Sequence, residues 1–288
     1  MVSEFAKQNN AIIGACHAAP LENPRLMAGS FVPFVSRDHE KRTNPARALK
    51  DVESIIVIGV PPLQKEKPLA HPPKPLSNCF LSSLGTDEDY HPRVKNLLKL
   101  LAEELKSHFG EFRYKILVDS PGLDERALAH RAGLGFFGRN GLIISREFGS
   151  RFNIGCMLTD IPLKNLRVEN EENPPESECP PGCRRCLEAC PGGALKHGQL
   201  EASRCVSYLT QKKELTPPES ALIKTSNQLY GCDICQDVCP FNAPHEPVFV
   251  NPKDWLDKTT EDLQKEYGHT AMLWLSTELP RRNAQIHT

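Results

Sequence analysis

Three observations predict an α/β (α+β) domain followed by a ferredoxin-like domain. One is Ser54-Ile-Ile-Val-Ile-Gly-Val60, a continuous β-branched run of the kind that forms a strand buried on both faces. Another is the recurrence of Val94, Leu97, Leu98, Leu101, Leu105 and Phe109 at helical spacing. The third is the crowding of eight of the eleven cysteines into residues 179–239.

Those cysteines read Cys179-Pro-Pro-Gly-Cys183-Arg-Arg-Cys186-Leu-Glu-Ala-Cys190-Pro191, then Cys205, then Cys232-Asp-Ile-Cys235-Gln-Asp-Val-Cys239-Pro240. A [4Fe–4S] cube needs four thiolates around one compact object, so three closely spaced cysteines grip one face and the fourth arrives from elsewhere. In two-cluster ferredoxins the cysteine just before the proline serves the other cluster. That rule assigns Cys179, Cys183, Cys186 and Cys239 to one [4Fe–4S] cluster, and Cys190, Cys205, Cys232 and Cys235 to the second. Zinc also takes four thiolates at Cys-x2-Cys spacing, but it gives no reason for two Cys-x3-Cys-Pro endings. A disulfide framework needs an oxidising compartment, and the opening Met-Val-Ser-Glu-Phe-Ala-Lys has no secretory pattern. The first gap is one residue longer than Cys-x2-Cys, which Pro180, Pro181 and Gly182 accommodate in a wider turn.

At 288 residues the chain has room for two domains and a sizeable core. Hydrophobic content of 39% with 25% charged residues is that of a soluble globular protein, and 25 prolines mark many loops. No apolar run is long enough to span a bilayer, so the expected location is the reducing cytoplasm, with no membrane partner. The formal net charge of −1 argues against a protein-wide attraction to nucleic acid. Any polyanion site must then be a local patch.

In order, the pattern predicts a helix near the start, the small segment Ala11–Cys16, an irregular stretch to Pro45, and then the Ser54–Val60 strand, stopped by Pro61 and Pro62. Prolines and lysines from there to Leu76 read as a loop. An amphipathic helix follows Tyr90-His91-Pro92, and Tyr114–Asp119 reads as a strand. Ser120 and Pro121, a capping residue and an N1 proline, predict a helix through Ala132 that Gly133 ends. Leu142–Arg146 and Phe152–Thr159 read as a hairpin around Phe148-Gly149-Ser150. Residues 161–178 read as an acidic linker, and Lys253–Leu275 as helical. The expected domains are 1–165, a ligand-binding α/β domain; 166–250, the two-cluster domain; and 251–288, a short helical tail.

Asp119 falls at the carboxyl end of a strand, the edge where open α/β sheets bind ligands. Its competing reading is a local hydrogen-bond acceptor. Arg126, Arg131, Arg139, Arg146 and Arg151 form a lysine-free run whose guanidinium forks suit phosphate or carboxylate; the competing reading is solvated surface charge. Tyr90 and His91 read as structural, and Cys16, Cys79 and Cys156 as buried free thiols. Gly133–Gly141 is rich in glycine without being a dinucleotide fingerprint. From the residues alone, the chain is a redox protein with two clusters delivering electrons to something held by an α/β domain.

Asp119-Ser, Ala129-His-Arg-Ala-Gly-Leu-Gly-Phe-Phe-Gly-Arg-Asn140, Gly149-Ser150, Thr159-Asp160, Arg204-Cys-Val-Ser-Tyr-Leu-Thr210 and Gly231-Cys-Asp-Ile-Cys-Gln-Asp-Val-Cys-Pro-Phe-Asn242 together resemble the epoxyqueuosine reductase family. Weaker matches are Asp89-Tyr90-His91, Arg42–Pro45 and Arg282-Asn283, so the resemblance runs through the whole chain. It implies a cobalamin-binding domain related to reductive dehalogenases, fed by the two-cluster domain and by an external low-potential electron donor, in a monomer. The implied substrate is epoxyqueuosine in the tRNA anticodon loop, reduced to queuosine, with Asp119 protonating the substrate oxygen. Implied cobalamin contacts are Arg42, Asp119, Arg139, Asn140, Ile143, Ile154 and Met157. Arg139 stands where the family motif has lysine, and the chain stops soon after Arg282-Asn283, where many members continue into a tRNA-gripping helical-repeat tail. Alternatives are a cobalamin and iron–sulfur reductase of a small molecule, dehalogenase-like, and a ferredoxin-type electron carrier without cobalamin.

Overall fold

The computed structural model describes residues 1–22, 34–63, 78–168, 177–196 and 199–288. In chain order these form α1 (Val2–Gln8), β1 (Ile12–His17), α2 (His39–Thr43), β2 (Ser54–Val60), β3 (Cys79–Leu81), α3 (Tyr90–Phe109), β4 (Tyr114–Leu117), α4 (Glu125–Arg131), β5 (Phe136–Phe137), β6 (Ile143–Ile144), β7 (Asn153–Thr159) and α5 (Leu163–Leu166). There follow α6 (Arg185–Ala189), β8 (Leu195–Lys196), β9 (Gln199–Leu200), α7 (Val206–Leu209), α8 (Pro217–Ser226), β10 (Gln228–Tyr230), α9 (Ile234–Asp237), β11 (Val248–Val250), α10 (Pro252–Asp257), α11 (Thr260–Tyr267) and α12 (Glu278–His287). Most of the loop expected up to Leu76, the middle of the linker expected over 161–178, and part of the stretch before Pro45 lie outside the described residues. Among those described, no helix is long and apolar enough to cross a membrane.

Contacts divide the chain into two compact units, 1–61 with 91–183, and 62–90 with 184–288. They differ from three consecutive blocks in two ways: a segment ending at Tyr90 is drawn into the second unit, and the C-terminal helices belong to that unit's body.

The first unit is built on a four-stranded antiparallel sheet ordered β1-β2-β7-β4. All seven residues of β2 are buried, as its unbroken apolar run requires. Ile55 and Val57 pair with Leu158 and Cys156, and this face packs under Leu128 and Ala129 of α4 and its C-cap Ala132. On the opposite face, Gly155 lies against Val94 and Leu98 of α3, and a side chain larger than hydrogen there would meet both. The apolar stripe of α3 is thus one cover of the sheet and α4 the other.

Helix α4 starts at Glu125 and not at Ser120. Asp124 is the N-cap, accepting the Ala127 amide at 3.2 Å, while Ser120–Leu123 form a turn in which the Ser120 hydroxyl accepts the Gly122 amide. The helix ends as expected, with Gly133 in the left-handed region at φ 76°. The amides of Gly133 and Leu134 return to the carbonyls of His130 and Ala129, the paired bonds of a Schellman ending.

The expected hairpin is corrected. Ile143 and Ile144 pair with Phe137 and Phe136, whereas β7 is claimed by β2 on one side and β4 on the other. Seven ladder positions to β2 outweigh what a two-residue strand offers. Ser145 and Gly149 form an isolated bridge at the turn itself.

The second unit carries a three-stranded sheet ordered β10-β3-β11. Its core joins Cys79, Leu81, Leu229, Tyr230, Trp255, Leu263, Tyr267, Met272 and Ala284, with the Trp255 and Tyr267 rings 4.6 Å apart. The helical stretch expected over Lys253–Leu275 is three shorter pieces: α10, α11 and a 3-10 turn over Ala271–Trp274. A capping box between Thr259 and Asp262 starts α11 afresh, and Gly268 closes it. Helix α12, expected as a tail, packs against α10 and α8.

Candidate functional site

Asp119 follows β4 in a left-handed bend, φ 50°, an uncommon conformation for a residue with a side chain. Its carboxylate is 57% exposed, and its Oδ2 lies 3.5 Å from Nε2 of His91, at the start of α3. His91, expected as structural, is therefore a member of the site. The amide of Asp119 donates to Oε2 of Glu125 at 3.0 Å and that of Ser120 to Oε1 at 2.7 Å. Burial pushes the Glu125 carboxyl up to about 7; the amides of Ser120 and Asp119 pull it down, and the charges of Asp119 and Asp124 push it up.

Around this bend the structure gathers several predicted residues. Arg42 is buried, donates to Asp124 at 3.5 Å, and its carbonyl accepts the Asp124 amide at 3.1 Å. Burial lowers the Arg42 pKa, with Asp124 opposing and Arg126 reinforcing the shift. Arg126 in turn donates to the Gly141 carbonyl at 3.1 Å, tying the bend to the glycine-rich loop that carries Arg139 and Asn140. Arg131 holds the carbonyls of Ala19 and Pro20, and Arg146 pairs with Glu178 at 2.9 Å, so these two serve the fold.

The implied corrin contacts divide by burial. Arg139 and Ile154 are half-buried, whereas Ile143 is buried in the α4-side core and Met157 has no exposed surface. Strand alternation puts Met157 on the face of Gly155, beneath α3. Among these implied contacts, Nδ2 of Asn140 and Nε of Arg42 are buried donors with no hydrogen-bond partner among the described residues. Orphaned donors of this kind fit a ligand rimmed with amide carbonyls, as a corrin is.

In the second unit, Cys190, Cys205, Cys232 and Cys235 come together. Burial raises the thiols of Cys205, Cys232 and Cys235, that of Cys232 to about 12; each also feels Cys190, and Cys205 acts on both Cys232 and Cys235. Backbone amides oppose that rise: Tyr208 and Ser207 at the head of α7 toward Cys205, and Ile234 toward Cys232. Cys190 accepts the Ala194 amide at 3.3 Å. No group of three or more His, Cys, Asp or Glu among the described residues is arranged to hold a single metal ion.

Helices α6 and α9, one from each cysteine run, pack together. Gly231, at φ 68°, sets up the second run: a Cβ there would strike the Ser82 hydroxyl. Its amide donates to Thr210 Oγ1 at 2.9 Å. Of the first predicted quartet, Cys179 and Cys183 fall in the first unit and Cys186 and Cys239 in the second. The wider first gap closes as expected, with the Cys183 amide bonded to the Pro180 carbonyl and Gly182 at φ 73°, the geometry of a type II turn with proline at its second position. Cys16, Cys79 and Cys156 are buried free thiols, and burial pushes all three upward.

Sequence reading missed Glu125, Asp124 and the pairing of His91. The one signal available for the first two was Asp124 itself, a capping residue directly before a helical run.

Comparison with known proteins matches residues 179–242 to a 4Fe-4S double cluster binding domain and residues 42–120 to the epoxyqueuosine reductase QueG family. An epoxyqueuosine reductase of Bacillus subtilis (strain 168) is 35% identical over 271 residues, spanning 89% of this chain and 68% of that protein. A solved epoxyqueuosine reductase with a tRNA-Tyr epoxyqueuosine-modified stem loop superposes with a TM-score of 0.86 at 32% identity, over 99% of this chain and 79% of that one. Another, from Bacillus subtilis and described with the loop of its catalytic aspartate swung out of the active site, gives 0.84 at 31% identity with the same coverages.

Proposed function

The chain belongs to the epoxyqueuosine reductase family, and from that premise we propose that it reduces the epoxide of epoxyqueuosine in a tRNA anticodon loop to queuosine, using two [4Fe–4S] clusters and cobalamin. The observation that carries the reading is the superposition of nearly the whole chain on a reductase holding the modified stem loop. The balance is epoxide plus two electrons and two protons giving an alkene and water. The clusters pass the electrons singly, Cys190, Cys205, Cys232 and Cys235 holding one cube and Cys179, Cys183, Cys186 and Cys239 the other. An external low-potential donor reloads them.

Cobalamin, when bound, supplies the low-potential cobalt that delivers electrons to an epoxide carbon. Arg42, Arg139, Asn140 and Ile154 would hold it, while Met157 and Ile143 pack within the core on either side of the sheet. Asp119 Oδ2 carries the proton that neutralises the alkoxide oxygen, and His91 Nε2 at 3.5 Å is placed to restore it. The loop that carries Asp119 takes the part of the catalytic loop of the Bacillus subtilis relative.

Two measurements on anaerobically reconstituted protein test this. Iron and acid-labile sulfide should each approach about eight per chain, four to a cube; a value near four, or stoichiometric zinc, would overturn the ligand assignment. An epoxyqueuosine-bearing stem loop should lose one oxygen atom by mass in the presence of reductant and cobalamin. An unchanged stem loop with replete cofactors would remove the substrate reading and leave a small-molecule reductase.

A further inference from the structure

Glu125 is a buried carboxylate that the reaction above does not use. It is the first residue of α4, and a charge there ordinarily serves the helix dipole. Here both oxygens are spent elsewhere. Oε2 takes the Asp119 amide at 3.0 Å and Oε1 the Ser120 amide at 2.7 Å, two consecutive N–H groups turned to one side by the left-handed φ of 50° at Asp119. Consecutive amides so arranged form a concave anion site, and here the anion is built into the chain. The left-handed bend needs such an outside hold, because a side-chain-bearing residue leaves that region when nothing fixes it.

We propose that Glu125 is the positioning residue for Asp119, its carboxylate gripping both amides and thereby fixing where the Asp119 side chain stands. The proposal rests on the reading of Asp119 as the proton donor. Its neighbours support a purpose beyond packing: the charge of the adjacent Asp124, itself paired with Arg42, pushes the Glu125 carboxyl further up. Three acidic groups, Asp119, Asp124 and Glu125, are thus kept close together against their mutual repulsion, which the two amide bonds to Glu125, the Ala127 amide and Arg42 at Asp124, and His91 at Asp119 offset.

The test uses the reconstituted full chain in four forms: wild type, Glu125→Gln, Asp119→Asn and the double variant. Glutamine keeps the shape but offers one acceptor oxygen and turns an NH2 donor toward the second amide. Hydrogen exchange at the Asp119 and Ser120 amides should rise about tenfold or more in Glu125→Gln, as loss of a charge-assisted bond implies, while amides 128–131 of α4 exchange as in wild type. Single turnover at saturating stem loop should slow about tenfold with stem-loop affinity unchanged, and Glu125→Gln should add nothing in the Asp119→Asn background. Glu125→Asp, which retains the charge, should recover part of the rate, and it carries both readouts should the glutamine variant fail to fold. Unchanged loop exchange in a folded variant, or slowing that adds fully to that of Asp119→Asn, overturns the proposal. Faster loop exchange together with a fully active Asp119→Asn upholds the grip and removes the proton-donor reading instead.

Discussion

Opening an epoxide leaves charge on oxygen, and a carboxyl group that hands over a proton as the charge develops contributes typically 10²–10⁴-fold in rate. Asp119→Asn keeps shape and a hydrogen-bond donor but has no proton to give. Because the side chain is 57% exposed and the bend is held through the backbone amide, the change should leave both clusters, bound cobalamin and thermal unfolding near wild type. Turnover should fall within the range just given, measured as a single-turnover rate on cofactor-replete protein; an unimpaired rate would end the assignment. That Asp119 sits in a bend directly after a strand was legible, because a strand run followed by Ser120-Pro121 marks the end of the strand. Its anchor was not, since Ser120-Pro121 is as good a helix opening by composition as Asp124, and only the fold decides between them. The covering of Met157 by α3 was not legible for a similar reason: a sequence shows that alternate strand residues share a face, but not which helix covers it.

Elements whose pattern is written in consecutive residues were read closely. The run Ser54–Val60 and the stripe of α3 gave β2 and α3, because burial on two faces or on one leaves its period in the chain. Pairing between distant segments leaves no such trace, so β7 was matched to its sequence neighbour when its partners are β2 and β4. The C-terminal helix shows the same gap between local and distant signals. Asn283 is wholly buried, and its Nδ2 donates to the carbonyls of Thr210 at 2.9 Å and Leu229 at 2.8 Å, while Arg282 caps the carbonyls of Leu209, Thr210, Lys212 and Lys213. Asn283→Ala removes the side-chain donor from the Leu229 carbonyl and leaves the Thr210 carbonyl only its Arg282 bond, a loss of about 1–3 kcal/mol before any relaxation. Because Thr210 Oγ1 also holds the Gly231 amide beside Cys232, cluster absorbance should bleach at a lower temperature in this variant, in step with unfolding. A stability within error of wild type would show that α12 is the loose tail its position suggests.

For the molecule as a whole, charge and contact order decide what could be foreseen. The sheet β10-β3-β11 draws strands from residues 79–81, 228–230 and 248–250, so a boundary at 165 could not be placed from composition. Net charge is legible at once, and it makes the last prediction. With 35 Lys and Arg against 36 Asp and Glu, the chain has no general attraction for a polyanion, and any hold on a tRNA loop must come from a few arginines and lysines near the site. Each phosphate so neutralised adds roughly 0.7 to 0.9 to the slope of log affinity against log salt, the smaller value for a single-stranded loop. Binding of an anticodon stem loop should therefore be weak and fall steeply with salt, with a slope counting only those contacts. Arg139→Ala should flatten that slope by just under one unit if the side chain meets a phosphate, and leave it unchanged if it faces cobalamin. Tight binding that ignores salt would mean that base stacking and shape, not phosphate charge, hold the substrate.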